Sequence, residues 1–275
     1  MQHIHISAND RRIDLREVWR YRDLIWLFTK RSFIVTYKQT ILGPLWLIIN
    51  PLLTSIVHLV VFGNIAKLGT DGVPQLLFYL TGNAMWNYFS SCITKNSSVF
   101  TANANLFGKV YFPRLVMPIS NVLSSAIQFF IQLIPALILL VYYMIIGAVS
   151  PSLFAIPVVL ILLVLLGLLG TGLGIVISSL TTKYRDLSVL VSFGVSLWLY
   201  ATPVVYPLST VSGALKSIIL INPVTAPMEL YRLVLLGVGT VSVPSLLWSV
   251  GATVIAAVVG LVIFSRVEKD FIDTV

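Results

Sequence analysis

Thr101–Pro118 reads TANANLFGKVYFPRLVMP and carries Lys109 and Arg114 but no acidic residue. Long apolar runs flank it on both sides. If both cross a membrane, this piece sits in water on one side. It is nonetheless too apolar for a plain solvated loop. Leu106, Phe107, Val110, Tyr111 and Phe112 recur at helical spacing. Pro113 stops the turn, and Pro118 is expected to open the next helix at its first position. Two readings fit a short helix of this kind. It presses into another protein, or it lies as an amphipathic helix on lipid headgroups.

The composition supports the membrane. Of 275 residues, 57% are hydrophobic and only 10% charged, with a mean hydropathy of +0.95. Soluble domains carry roughly 25% charged residues. Little chain remains for a second, water-soluble domain. The single cysteine, Cys92, lies in an apolar run and reads as a small packing residue. The first forty residues show no pattern of a cleavable signal.

Upstream, residues 10–31 place Ile13, Val18, Tyr21, Leu24, Ile25 and Phe28 at helical spacing, with arginines and acids opposite and Trp19 and Trp26 beside them. This is the pattern of an interfacial helix in the headgroup region. A helix packed on another protein is the alternative. Six membrane-spanning segments follow, at about 41–65, 75–92, 119–146, 153–180, 188–205 and 244–264. Gly43, Pro44 and Pro51 should bend the first, and Pro135 the third. His58, in the first, is expected to bond a nearby backbone group or hydroxyl. In the fourth, Gly170 and Gly174 form a GxxxG pair suited to close helix contact. Residues 209–236 hold Lys216, Glu229 and Arg232 and are cut by Pro223 and Pro227. They read as two short helices, 209–220 and 226–236, that dip into the membrane and return. Glu229 and Arg232, three apart on one face, either neutralise each other or line a path.

Charge sets the orientation. Of the 18 Lys and Arg, eight lie in residues 1–40, three between Lys95 and Arg114, two at Lys183 and Arg185 and two in the tail; only Lys67, Lys216 and Arg232 fall on the other side. The positive-inside rule then places both termini and Thr101–Pro118 in the cytoplasm. No metal constellation, nucleophile–base–acid group or phosphate-cradling loop is found. No buried proton relay is visible either. Work against a gradient would therefore come from a partner, or the protein is a passive conduit, and no nucleic-acid partner is expected.

Three stretches carry a likeness to a known family: FIVTYKQTILGPLWLIINP (33–51), LFGKVYFPRLVMP (106–118) and NPVTAPMELYRLVLLG (222–237). The chain resembles the membrane subunit of type-2 ABC exporters, in the branch of O-antigen, capsule and teichoic acid permeases. The resemblance implies an all-α permease of a bacterial inner membrane. Two copies form a channel for a lipid-linked polysaccharide. ATP and Mg are bound by separate ATP-binding cassette subunits, and no cofactor by this chain. It implies a coupling helix over 101–116, with Asn105, Leu106, Phe107, Gly108, Lys109, Val110, Tyr111, Phe112, Pro113 and Arg114 in a cleft of the ATPase. Lys183, Tyr184, Arg185 and Asp186 would form a second cytoplasmic contact. Pro223, Pro227, Glu229 and Arg232 would belong to periplasmic gate helices. Tyr37, Trp46, Trp86, Tyr88, Trp198, Tyr200 and Tyr206 are candidates to line the channel, where sugar rings stack on aromatic faces. Their bland reading is interfacial belt or packing. The alternatives are the same fold exporting a drug or small lipid, and an ATP-independent channel or flippase.

Overall fold

The computed structural model describes residues 15–38, 40–107, 109, 112–181 and 186–273, and those residues form helices and no strands. The helices are α1 (Leu15–Arg20), α2 (Arg22–Tyr37), α3 (Trp46–His58), α4 (Gln75–Asn96), α5 (Val99–Ala102), α6 (Ala104–Phe107), α7 (Val116–Ile145), α8 (Ala155–Thr181), α9 (Leu187–Trp198), α10 (Gly213–Ile221), α11 (Thr225–Leu236) and α12 (Val243–Asp273). Residues 1–14, of which 10–14 are expected in the interfacial helix, lie outside the described residues.

The helix α4 is the axle of the bundle. It touches α3, α7, α8, α9 and α11, and 15 of its 22 residues are buried. That explains its sequence. A helix jacketed by protein can carry Thr81, Asn83, Asn87 and Lys95, which lipid would penalise. The lipid-facing work falls to its neighbours. Among the described residues, four helical stretches are long and apolar enough to cross a membrane: Gly43–Ile65, Val116–Ile145, Ala155–Thr181 and Val243–Arg266.

The glycines set how closely these helices approach. A Cβ on Gly170 would meet Cys92 Cβ at 2.8 Å, and one on Gly174 would meet the Ile93 carbonyl oxygen at 2.8 Å. The GxxxG pair therefore seats α8 on α4, with Cys92 as the packing residue across from it. A second close approach joins α8 to α12. A Cβ on Gly172 would sit 2.5 Å from the Ala256 carbonyl oxygen, and one on Gly260 would sit 2.9 Å from that of Gly172.

Several expected boundaries differ. The interfacial pattern is two helices broken at Tyr21, the second running on to Tyr37. The first apolar segment is compound: a 3-10 turn at Gly43–Leu45, then α3, then a π-helical stretch at Leu59–Ile65. Lys95 falls inside α4 rather than after it. Pro118 is the third residue of α7, where a missing N–H still costs no intrahelical bond. The helix within 188–205 stops at Trp198. Thr202 precedes Pro203, and a residue before proline is pushed out of the helical region. In the turn that follows the helix, the Asn222 side chain donates to the Ala201 carbonyl oxygen at 3.1 Å. At about 1.5 Å per residue, the 12 residues of α9 reach roughly 18 Å, short of a ~30 Å hydrocarbon core. The helices α10 and α11 meet at 95°.

Candidate functional site

The chain leaving α4 is pinned before it turns. Asn96 donates to the Cys92 carbonyl at 2.9 Å and to Thr171 Oγ1 at 3.2 Å. Thr181 Oγ1 donates to the Ser97 carbonyl at 2.8 Å, and the Phe100 amide to Ser178 Oγ at 3.4 Å. The end of α8 thus holds the start of the loop. Asn103 then separates α5 from α6. Its side chain donates back to the Val99 carbonyl at 2.8 Å, and its own carbonyl accepts from the amides of Leu106 and Phe107, both at 3.0 Å. Local hydrogen bonding by an asparagine is what breaks this stretch into two single turns.

The apolar side chains of the loop fold onto their own protein. Phe112 is 5% exposed. Its ring lies 5.7 Å from Phe28 on α2 and 5.8 Å from Phe107 on α6. Phe100 stacks obliquely on Phe264 of α12 at 5.1 Å. Val18, Ile25, Val99, Leu115, Val116, Met117 and Ile175 complete one buried cluster. So the inner face of α1 and α2 packs on the loop. The outer face leaves Trp19 69% and Trp26 57% exposed. Thr29 ties the two levels together, donating to the Ile25 carbonyl at 2.8 Å and the Ser120 carbonyl at 3.4 Å.

Lys109 faces solvent, and the Arg114 guanidinium lies over the Phe107 ring at 5.5 Å. Leu106, Phe107, Pro113 and Arg114 are half-buried. The side chain of Asn105 and the residues Gly108, Val110 and Tyr111 lie outside the described residues. So do Lys183, Tyr184 and Arg185 of the second expected contact; Asp186 beside them is exposed. Phe100, Ile175 and Phe264 were not foreseen as part of this knot. The helical spacing of Phe28 was visible, but nothing in the sequence says that its partner is Phe112.

The aromatic candidates part company. Trp86 and Tyr88 are buried inside the chain, with Tyr88 Oη donating to the Leu163 carbonyl at 2.7 Å and Trp86 against Phe89 at 5.6 Å. In this position they are packing residues. Trp46 and Tyr200 are exposed, and Tyr206 is half-buried with its hydroxyl on the Tyr200 carbonyl at 3.1 Å. Trp198 borders an apolar groove of about 530 Å³ between α4, α8 and α9. The side chain of Tyr37 is outside the described residues. His58 meets the amide of Asn83, at 3.2 Å from Nδ1, rather than a backbone group or hydroxyl. Asn83 also donates to Ser55 Oγ at 2.8 Å. At the other end of the bundle, Glu229 and Arg232 form an ion pair at 3.1 Å. Pro223 stands in the corner between α10 and α11, and Pro227 is the third residue of α11. Among the described residues, no three His, Cys, Asp or Glu side chains gather as a metal site would need.

Comparison with known proteins gives two findings. The ABC-2 type transporter family matches residues 23–236. An O-antigen export system permease protein RfbA of Klebsiella pneumoniae is 32% identical over 253 residues, which cover 90% of this chain and 93% of that protein. Another of the same name and organism is 31% identical over 253 residues, with the same coverage. One from Myxococcus xanthus is 30% identical over 220 residues, 79% of this chain and 82% of its own.

Proposed function

Because the chain belongs to the ABC-2 type transporter family, we propose that it is the permease of an exporter that moves a lipid-linked polysaccharide out of a bacterial cytoplasm. Two copies pair to form the channel, and separate ATP-binding subunits drive it. The observation that carries this reading is similarity over nearly the whole length to proteins named as O-antigen export permeases.

The basic end of the bundle faces the cytoplasm, as the bias of Lys and Arg supports. The segments 41–65, 75–92, 119–146, 153–180 and 244–264 cross the inner membrane as helices; 188–205 makes the remaining crossing with α9 and the unwound stretch after it together, and α10 with α11 dips in from the far side and returns. The coupling helix sits within 101–116. Closure of the ATPase pair pushes on this segment. The push is transmitted because Phe112, Phe107 and Phe28 are packed as one body with the interfacial helix.

The segment's packing suggests how to divide its residues. Lys109 is exposed and Arg114 half-buried, so these two are the groups to meet the ATPase, while Phe112 supports them from inside. The test uses the complete transporter. Lys109→Glu together with Arg114→Glu should cut ATPase copurification and export by about tenfold, the effect of roughly 1.4 kcal/mol at the interface. Unchanged association and export would defeat the assignment. The cargo is tested by ATPase stimulation: it should respond to the polymer and not to drugs.

A further inference from the structure

We propose that Arg232 fixes α11 to the bundle as a rigid sill, so that opening at the outer end is carried by α10. The inference rests on the transporter reading above and concerns which half of the broken hairpin moves.

The two halves differ in how they are held. Ten of the twelve residues of α11 are buried, against one, Ile219, of the nine in α10. At the centre of α11 the Arg232 guanidinium binds four things at once. It pairs with Glu229 Oε1 at 3.1 Å. It donates to the carbonyl oxygens of Val204 at 2.7 Å and Tyr206 at 3.4 Å, in the unwound segment after α9. Its carbon lies 4.0 Å from the centre of the Phe78 ring on α4. Glu229 completes the clamp with its other oxygen, which accepts from the Thr240 amide at 2.9 Å in the linker to α12. One residue pair therefore joins α11 to α4, to the segment after α9 and to the start of α12. A planar, always-charged fork suits this geometry, and a point charge does not.

Space for the clamp is also provided. A Cβ on Gly82 of α4 would lie 3.0 Å from the Val204 oxygen and 3.3 Å from Arg232 Nη2. The turn between α7 and α8 adds a further tie, the Ser152 amide donating to the Val234 carbonyl at 2.8 Å.

By contrast, the side-chain hydrogen bonds found on α10 among the described residues lie at its ends. Its last carbonyls accept from Trp248 Nε1 at 2.7 Å, at Ile221, and from Thr225 Oγ1 at 2.6 Å, at Ile219. Before its first turn, Ser209 donates to Asp71 at 2.6 Å. Gly213, at φ +64°, begins the helix in a left-handed conformation that glycine adopts without strain. Between them Ala214, Leu215, Ser217 and Ile218 are exposed and Lys216 is half-buried. A helix gripped at two corners and free between them can swing while its anchored partner stays.

The experiment places one nitroxide label at a time in the purified complete transporter, on a Cys92→Ser background. Ser217→Cys reports α10 and Leu233→Cys reports α11. The spectrum at 217 should change between the nucleotide-free and vanadate-trapped states, and that at 233 should not. With Arg232→Met added, the label at 233 should gain mobility by about threefold or more, as a segment released into local opening does. The double exchange Glu229→Arg with Arg232→Glu should not restore it, because a carboxylate cannot donate to the Val204 and Tyr206 carbonyls. Glu229→Gln, which keeps an acceptor for Thr240, should fold and leave 233 still. A spectrum at 233 that changes with trapping in the unmodified clamp, or full rescue by the exchange, would overturn the proposal. Loss of polymer export with both labels silent and no ATPase bound would instead strike at the transporter reading.

Discussion

Phe28 and Phe112 hold their rings 5.7 Å apart, tilted by 46°, although 84 positions of chain separate them. The helix α2 and the loop between α4 and α7 are therefore one packed unit. Phe112→Ala should destabilise the purified protein by about 3 kcal/mol, the usual cost of emptying a buried aromatic site. Phe28→Ala should cost less, since Phe28 is only half-buried. The double variant should fall short of the sum by about 1 kcal/mol, the coupling of an aromatic pair. Thermal denaturation of the four proteins measures this. Strict additivity would show that the rings do not act together.

The closest approach of α8 and α12 runs through Gly172 and Gly260. Gly172→Ala forces a methyl into the Ala256 backbone, which cannot rotate away. A loss of about 1–3 kcal/mol is expected, with a lower melting midpoint in nanodiscs. Gly251→Ala, on α12 with open space around it, is the control. It should stay within about 0.5 kcal/mol of the parent. Equal effects at the two glycines would contradict the packing described.

Lys95 donates to three neutral acceptors on α7: Ser124 Oγ at 3.2 Å, Ser125 Oγ at 3.0 Å and Gln128 Oε1 at 3.3 Å. Hydrogen bonds to charged groups are worth roughly 1.5–3 kcal/mol in water-soluble proteins. Between membrane helices the measured average is nearer 0.6 kcal/mol. The lower figure applies at this site, so Lys95→Met should cost about 1–2 kcal/mol in all. Lys95→Arg should not restore it, because a flat fork does not match acceptors arranged around a single ammonium. Full recovery with arginine would mean that charge, not geometry, matters at this position.

The Asn83 amide bridges Ser55 and His58 between α4 and α3. Asn83→Leu removes both contacts and leaves two polar groups facing an apolar side chain. Export should decline with a melting shift corresponding to about 1–2 kcal/mol. Asn83→Gln, with a longer reach, should recover little. A variant as stable as the parent would indicate that Ser55, which already donates to the Pro51 carbonyl at 2.7 Å, needs no second partner.

The helical, membrane-embedded class could be read from hydropathy and charge because both act locally along the chain. The corner at Asn222–Val224 is legible to within a few residues for the same reason, because Pro223 and Pro227 mark it; the breaks at Tyr21 and after Trp198 are not, since the apolar pattern runs on through both. The Glu229–Arg232 pair followed from spacing alone. Its carbonyl partners at Val204 and Tyr206 did not, since no side-chain pattern marks a backbone oxygen left over by an ended helix. The resemblance puts Phe112 in the coupling helix, but amphipathic spacing gives a face and not its occupant, and here that occupant includes Phe28 and Phe107. The contact between Gly172 and Ala256 was hidden because one glycine among several in α8 carries no address.

The wrapped helix α4 also constrains how the protein is made. Its polar stretch is tolerable only inside a jacket of α3, α7, α8 and α11, and three of those emerge from the ribosome after it. A nascent chain that ends before α8 would hold α4 against lipid with much of its sheath missing. Biogenesis must therefore delay its commitment to the bilayer, or shelter it, until the later helices arrive.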